Sequence, residues 1–491
     1  MIKEGILTVD FGTSNVRVSL IETKRGSILY SVSEQNCIKV PYNGYAQQNP
    51  EELWDNSVRC MAQVIRETDI DKIHISALAF SFFGDNLILC DEEYQPITPL
   101  ILSFDVRGEA QISALLRKMG HERIIRKIGS VPDWSSVPAK YLWLRQNKPE
   151  IVERSAYCIS NQQYILKRLG LAPVNDRTMA FRKSLLNMGT VWWDEELLEY
   201  LGVGDRQLGE IVESGEIIGT VMEYGDVKFP YSVPVIPGGH DCSLGFAGLG
   251  LSRSSDTLMG NITGTFDHFG FFRKDRIMNE QILRQRKNEV LTGCGCLKDS
   301  WIVMGAIPAY GTYLEWVVKT FFQDTSQNTF QRLWTQVRFD GLNELSVYPV
   351  NTIEKGCVEG LELTTSGIDI FAAAVEALTY ESRRVMEICL GCRENQPLEI
   401  RIGGGTSRSD IWNQLRADVM GIPFSCTQNV EASSMGAAIL GAVACGIYRD
   451  VESAAKEMVQ VTKKFVPHKE NCIRYNEAYK CYIAKYHQIN I

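Results

Sequence analysis

Four short stretches of this 491-residue chain combine glycines, small hydroxyls and carboxylates in patterns suited to phosphate chemistry. Asp10-Phe11-Gly12-Thr13-Ser14 falls where an apolar strand turns, so backbone N–H groups and two hydroxyls stand beside a carboxylate. Gly12 permits close approach to the backbone, Thr13 and Ser14 can donate hydrogen bonds, and Asp10 can hold Mg²⁺ directly or through water. An ordinary hairpin turn uses the same residue types. Gly264-Thr265 offers the same groups again, and Gly403-Gly404-Gly405 leads from a strand toward a helix. Such a run admits a phosphate or the flat face of a base, or is a plain connection. Gly238-Gly239-His240-Asp241 follows a buried strand. Transfer of a phosphoryl group to an alcohol needs one acceptor for the hydroxyl proton, and Asp241 is the candidate general base; the alternative is a helix-capping or turn aspartate.

The missing motifs narrow the choice. No Gly-Lys dipeptide occurs, which excludes a Walker-type loop; no strand leads into a convincing G-x-G-x-x-G, and no H-E-x-x-H is present. A net charge of -8 without a basic run argues against a nucleic-acid partner and for a small molecule. The hydrophobic share of 45% and charged share of 22% are those of a globular protein.

The N-terminus runs directly into strand-like sequence with no secretion signal, so a cytoplasmic location is expected. The uncharged run from Ala432 to Tyr448, roughly 17 residues, is short for a membrane span and reads as a buried helix. Fourteen scattered cysteines without an export signal read as reduced thiols. Cys389 and Cys392 form a lone Cys-x-x-Cys, with Cys294 and Cys296 distant, so packed thiols are a better reading than zinc.

Two large domains are expected at this length. Ile6–Asp10 and Val16–Ile21 read as a hairpin, 50–66 as a helix capped by Asn49, and Ile73–Phe80 as a buried strand. Strands and helices continue to alternate through 140–144 and 164–166, giving an α/β class. A strand through Val235-Ile236-Pro237 then meets a dense glycine run, and the domain junction is placed there, with domains 1–245 and 246–491. Beyond it, 257–259 forms a strand before the second Gly-Thr turn, which hints at duplication. A long helix over 368–390, a strand over 398–402, a helix over 409–420 stopped by Gly421 and Pro423, and the small-residue helix from Ala432 complete the pattern.

Together these pieces resemble the FGGY carbohydrate kinase family, over nearly the whole chain and in the family's order. Asp10 to Ser14 with Arg17 is similar to its N-terminal phosphate turn, and Gly44-Tyr45-Ala46-Gln47-Gln48-Asn49-Pro50 to its G-W-x-E-Q-D-P stretch. Gly239-His240-Asp241 resembles the catalytic-aspartate motif, most closely the fuculose and rhamnulose kinase versions, and Gly264-Thr265 the second phosphate turn. Gly403-Gly404-Gly405 with Ser409, Trp412 and Asp418 resembles the adenosine motif, and Glu431 to Ala438 the closing E-x-x-x-x-G-A-A helix.

The resemblance implies a duplicated actin-like, ribonuclease-H-type fold whose two domains close on a central cleft. Sugar would bind mainly to the N-terminal half and ATP with Mg²⁺ mainly to the C-terminal half, with Asp10 and Asp241 toward the metal. Gly12, Thr13, Ser14, Arg17, Gly264, Thr265, Gly404, Gly405, Ser409 and Trp412 fall in the nucleotide motifs, and Asp85, Asn86, Asp105, Arg107, Trp134, His240 and Asp241 on the sugar side. The sugar side departs from better-known members. Phe83-Gly84-Asp85-Asn86 stands where xylulose kinases carry Gln-Met-His-Gly and glycerol kinases Arg-Glu, which leaves Asp85 as hydroxyl acceptor. Ser103 replaces the usual Trp ahead of Asp105 and Arg107, Cys242 stands where glycerol kinase has a glutamine, and Trp134 is a stacking candidate or a core residue. Two other readings stay open, a chaperone-like nucleotide switch of the same fold and a sugar-binding regulator without catalysis. Which sugar is used, which carbon, and the oligomeric state, a homodimer among the options, are left undetermined by the sequence.

Overall fold

Continuous apolar runs make the central strands of the N-terminal region, because a strand covered on both faces has no polar side to show. A computed structural model describes residues 3–68, 72–276, 290–339, 345–348, 356–393 and 395–489, without the side chains of 486–489. Strands β1 (Lys3–Phe11), β2 (Asn15–Glu22) and β3 (Ile28–Gln35) form an antiparallel meander, followed by helix α1 (Pro50–Glu67). Asn49 caps α1 as its sequence predicts, its side chain accepting from the Glu51 N–H at 3.1 Å, with Pro50 opening the helix.

Strand β4 (Ile73–Phe82) then pairs parallel to β1, and β5 (Gly219–Tyr224) and β6 (Val227–His240) complete a six-stranded sheet in the order β5-β6-β4-β1-β2-β3. Because β6 is also parallel to β4, the carboxyl ends of β1, β4 and β6 emerge on one edge. That edge is where open α/β sheets bind ligands. The segments 140–144 and 164–166 both prove helical, within Val137–Asn147 and Asn161–Arg168. Short apolar runs do not distinguish a buried strand from a buried helix.

Helix α2 (Asp241–Gly248) follows β6 directly and runs through position 245. The helix Ala432–Ala444, buried along most of its length as expected, packs on α2. The crossing is glycine to glycine: a Cβ on Gly248 would lie 1.9 Å from the Ala432 carbonyl oxygen, and one on Gly436 1.8 Å from that of Leu244. These elements belong to one compact unit comprising Met1–Ser254, Phe272–Val303 and Glu431–Gln460.

The second unit comprises Ser255–Phe271, Met304–Val430 and Val461–Ile491. It repeats the opening motif. Strand β7 (Leu258–Thr263) pairs antiparallel with β8 (Asp267–Arg273) and parallel with β9 (Glu399–Gly404), as β1 does with β2 and β4. Helix α3 (Gly367–Leu390) precedes β9, and helix α4 (Asp410–Met420) follows it, capped by Ser409 and ended by Gly421 in the left-handed conformation. Cys389 and Cys392 are buried near the end of α3, and no described helix is long and apolar enough to cross a membrane.

Candidate active site

In the first unit, strand register assembles the site. Asp10 on β1 pairs with Ser81 on β4, and Ser81 pairs with Gly239 on β6. Residues distant in sequence therefore end on one edge: Asp10, then Phe83-Gly84-Asp85 after β4, then His240 at the end of β6 and Asp241 after it. Gly238 permits the register irregularity near the end of β6, with φ +65 and a Cβ position only 1.6 Å from the Phe80 carbonyl oxygen.

Asp241 is the first residue of α2, and one of its oxygens accepts from the Cys242 N–H at 2.6 Å and lies 3.4 Å from His240 Nε2. Its side chain is about one-third exposed. Burial pushes its carboxyl up to about 7, the neighbouring Asp10 charge adds to that, and Cys242 and Arg182 pull the other way. Asp10 is likewise raised by burial, against the Ser81 hydroxyl, the Arg17 charge and the Ser433 hydroxyl. The Ser433 hydroxyl donates to Asp10 Oδ2 at 3.1 Å, whereas the buried Oδ1 has no hydrogen-bond partner among the described residues. A buried carboxylate oxygen in that state fits a divalent cation or its water.

The turn between β1 and β2 is braced from several sides. The Gly12 N–H donates to the Asn15 carbonyl, the Asn36 amide to the Gly12 carbonyl at 3.0 Å, and the Gln48 amide to the Thr13 carbonyl at 2.6 Å. Thr13 is half-buried and Ser14 exposed. Arg17, opposite Asp10, pairs with Glu431 at the start of Ala432–Ala444.

Asp85 adopts the left-handed conformation, φ +57, unusual for a residue with a side chain. Its carboxylate pairs with Arg182, Nε donating to Oδ2 at 3.0 Å and the adjacent amino group to the same oxygen. Gly84 lies beneath this pair, since a Cβ there would sit 2.8 Å from the His240 ring and 3.0 Å from Arg182. Asp85, Arg182, His240 and Asp241 are therefore one contiguous group. Asn86 faces inward instead, donating to the Phe83 carbonyl at 2.7 Å and accepting from the Asn161 N–H at 2.9 Å, which anchors the loop. Asp105 and Arg107 close on each other: Arg107 donates to both Asp105 oxygens, at 2.7 and 2.6 Å, and Asp105 also accepts from the Ala46 N–H. Arg107 lies over the Tyr45 ring at 4.0 Å. Trp134 is half-buried in the turn before Val137–Asn147.

Three groups here were missed by sequence reasoning. Arg182 ends the helix Arg177–Arg182, whose cap Asp176 accepts from the Thr178 N–H at 2.8 Å while the Thr178 hydroxyl takes the His240 N–H at 2.7 Å. Asp-x-Thr before a helix is a legible capping pattern, but the pairing with Asp85 is not. Lys140, fully buried and pushed down to about 8 by burial, donates to the Asp85 carbonyl at 2.7 Å and to the Ser135 carbonyl. Ser433 looks in sequence like an ordinary residue of a small-residue helix.

In the second unit, Gly264 follows β7 and its N–H donates to the Phe266 carbonyl at 2.7 Å, before Thr265. Thr263 donates to the Gly403 carbonyl at 3.2 Å and accepts from Thr406 at 2.7 Å, which ties this turn to Gly403-Gly404-Gly405. Gly404 has φ +92, and a Cβ on it would meet the Thr263 carbonyl oxygen at 1.9 Å, whereas Gly264 and Gly405 each have open space beside them. Ser409 accepts from the Trp412 N–H and starts α4. Trp412 departs from expectation: it is 0% exposed, its ring nitrogen donates to Thr379 at 2.9 Å, and it stacks on Tyr310. Trp412 offers no face to a ligand because it fills the core under α3 and α4. Asp418 is also buried and caps the segment at His468, accepting from its N–H at 2.8 Å.

Comparison with known proteins bears on family and fold. The N-terminal domain of the FGGY family of carbohydrate kinases matches residues 5–248, and its C-terminal domain residues 278–445. A xylulose kinase from Staphylococcus epidermidis is 25% identical over 499 residues, covering 99% of this chain and 97% of that protein. An L-fuculokinase from Escherichia coli O157:H7 is 25% identical over 490 residues, covering 96% and 98%. A solved xylulose kinase from Lactobacillus acidophilus superposes with a TM-score of 0.88 at 20% identity, covering 99% of this chain and 98% of the other, a likeness of fold. The duplicated actin-like, ribonuclease-H-type fold and the two matching domains lead to one conclusion: the chain belongs to the FGGY family of carbohydrate kinases, the sugar and polyol phosphotransferases.

Proposed function

We propose that this chain transfers the terminal phosphate of ATP to a hydroxyl of a small sugar, sugar acid or polyol in the cytoplasm, with Asp241 as the general base. The observation that carries this reading is the placement of Asp241 at the head of α2, beside Asp10, with its ionisation shifted to about 7. A carboxylate tuned to that range exists as the base at neutral pH and still binds a proton well in the transition state. Asp241 accepts the hydroxyl proton as the sugar oxygen bonds to phosphorus and the bond to ADP opens. His240 borders the same carboxylate at 3.4 Å, and Asp85 is the acceptor for a second substrate hydroxyl.

Asp10 and Asp241 would hold Mg²⁺, directly or through water, and the ion would neutralise charge building on the phosphate oxygens. Gly12, Thr13 and Ser14 offer donors to the transferred phosphate, with Arg17 behind them. Gly264, Thr265, Gly404, Gly405 and Ser409 form the nucleotide side, where open space beside Gly264 and Gly405 leaves room for close approach. On this reading residues 1–245 hold mainly sugar and 246–491 mainly nucleotide. Asp105 and Arg107 shape the sugar loop through each other, and Trp134 supplies a ring beside it.

The test is ADP release from purified protein with ATP and Mg²⁺ against xylulose, fuculose, glycerol, gluconate and related compounds. Asp241→Asn should lower turnover by about 10²–10⁴-fold while ATP binding persists. Full turnover in that variant would remove Asp241 from the role of base, and no turnover of any acceptor by the parent protein would remove the kinase reading.

A further inference from the structure

Among the described residues, three cations of the sugar side are committed within the protein. Arg182 spends two donors on Asp85, Arg107 closes bidentately on Asp105, and Lys140 donates to the carbonyls of Asp85 and Ser135. Arg182 is the one nearest the proposed base, packed with His240 around Gly84 and felt electrostatically at Asp241. Its side chain is 20% exposed, so a solvent-facing charge is present but already matched. Both guanidinium bonds fall on Asp85 Oδ2, which leaves Oδ1 to accept from a hydroxyl. The pair is held in place at some cost, because Asp85 sits at φ +57, a conformation disfavoured for a residue with a side chain. Lys140, beneath the loop, grips the carbonyl of that same residue.

We infer that the Arg182–Asp85 pair makes the acceptor site selective for an uncharged polyhydroxy substrate, a ketose or polyol, and against a sugar acid. This rests on the kinase reading with Asp241 as base. A carboxylate arriving beside Asp10, Asp85 and Asp241 finds acids ahead of it and its natural partner, Arg182, occupied. A neutral substrate meets hydrogen-bond acceptors without that repulsion. Juxtaposed like charges of this kind are strong negative selectors.

The test compares kcat/KM for neutral acceptors (xylulose, fuculose, glycerol) with that for gluconate, in the parent protein and in Asp85→Asn. The parent should favour the best neutral acceptor over gluconate by about 10²-fold or more. Asp85→Asn releases Arg182, so that ratio should shrink at least tenfold, mainly through a lower KM for gluconate. Gluconate used as well as any neutral acceptor by the parent protein would overturn the selectivity while leaving the kinase reading intact. An unchanged ratio in a folded Asp85→Asn, checked by its melting curve, would overturn the role of the pair. If Asp85→Asn does not fold, Arg182→Gln serves instead. Lacking the cation, it should gain no gluconate use, and a gain would overturn the inference. Turnover of no acceptor at all would remove both readings together.

Discussion

The two glycine-threonine turns share a backbone and differ in chemistry. Each closes an antiparallel hairpin whose first strand also pairs parallel with a later strand, β1 with β4 in one unit and β7 with β9 in the other. In the first unit the strand before the turn carries Asp10, with one buried oxygen unsatisfied and Arg17 opposite. In the second the corresponding stretch carries Ile262 and Thr263, and the Thr263 hydroxyl is fully engaged with Gly403 and Thr406. The second turn has a carboxylate too, Asp267 opposite Thr263, but both of its oxygens accept hydrogen bonds, from Asn261 and Ser382. A duplicated scaffold can thus leave a carboxylate oxygen open in one copy and enclose the carboxylate of the other.

The most severe way to break this comparison is to neutralise the open carboxylate. Asp10→Asn should lower kcat by about 10²–10³-fold and abolish any rise in melting temperature produced by Mg²⁺, read by ADP release and by thermal melts with and without the ion. Wild-type turnover in that variant would mean the unsatisfied oxygen has no part in the reaction.

Glycine substitutions sharpen the other side. Gly404→Ala places a methyl group against the Thr263 carbonyl in a left-handed conformation and should destabilise the protein by about 1–3 kcal/mol, seen as a lowered melting temperature. Gly264→Ala meets nothing within 4 Å and should leave the melting temperature unchanged while raising KM for ATP several-fold. If both variants melt early, the second turn is structural. Thr406→Val removes the donor to the Thr263 hydroxyl and the acceptor of the buried Arg416 amino group, and should cost about 1–3 kcal/mol with kcat nearly intact.

Much of this was legible before any coordinates, for physical reasons specific to each residue. Asn49-Pro50, Ser409 and Gly421 act locally, through caps and a left-handed stop, so their roles follow from neighbours in sequence. Asp241 stood out as a candidate because it follows two glycines at the end of a buried strand, and the structure places it at the first position of α2. Arg182 and Lys140 were not found, because their partners come from other parts of the topology and neither residue type nor spacing records a pairing of that range. Trp412 misled for the opposite reason. It lies beside a glycine-rich nucleotide motif, but helical periodicity turns its ring toward α3, where it bonds to Thr379.

The pH dependence carried by Asp241 has two parts of opposite sense, of which the stability part is the smallest expected effect. As a base the carboxyl must be ionised, so kcat/KM should fall about tenfold per unit on the acid side of its pKa and level off above it, with the break below the metal-free value of about 7 because bound Mg²⁺ favours the ionised form. Stability moves the other way. The folded-state value is raised above the ordinary 3.8, so the folded protein binds this proton more tightly than the unfolded chain. That favourable contribution is complete at acidic pH and is lost as pH rises through about 7. Asp241→Asn, measured without Mg²⁺, should therefore melt slightly later than the parent at about pH 8, with the difference closing only as pH falls to 3.8. A side chain one-third open to solvent keeps the difference in melting temperature small. A variant that instead melts earlier at the higher pH would mean that Asp241 is held as a stabilising N-terminal charge of α2, with Asp10 too weakly coupled to it to matter.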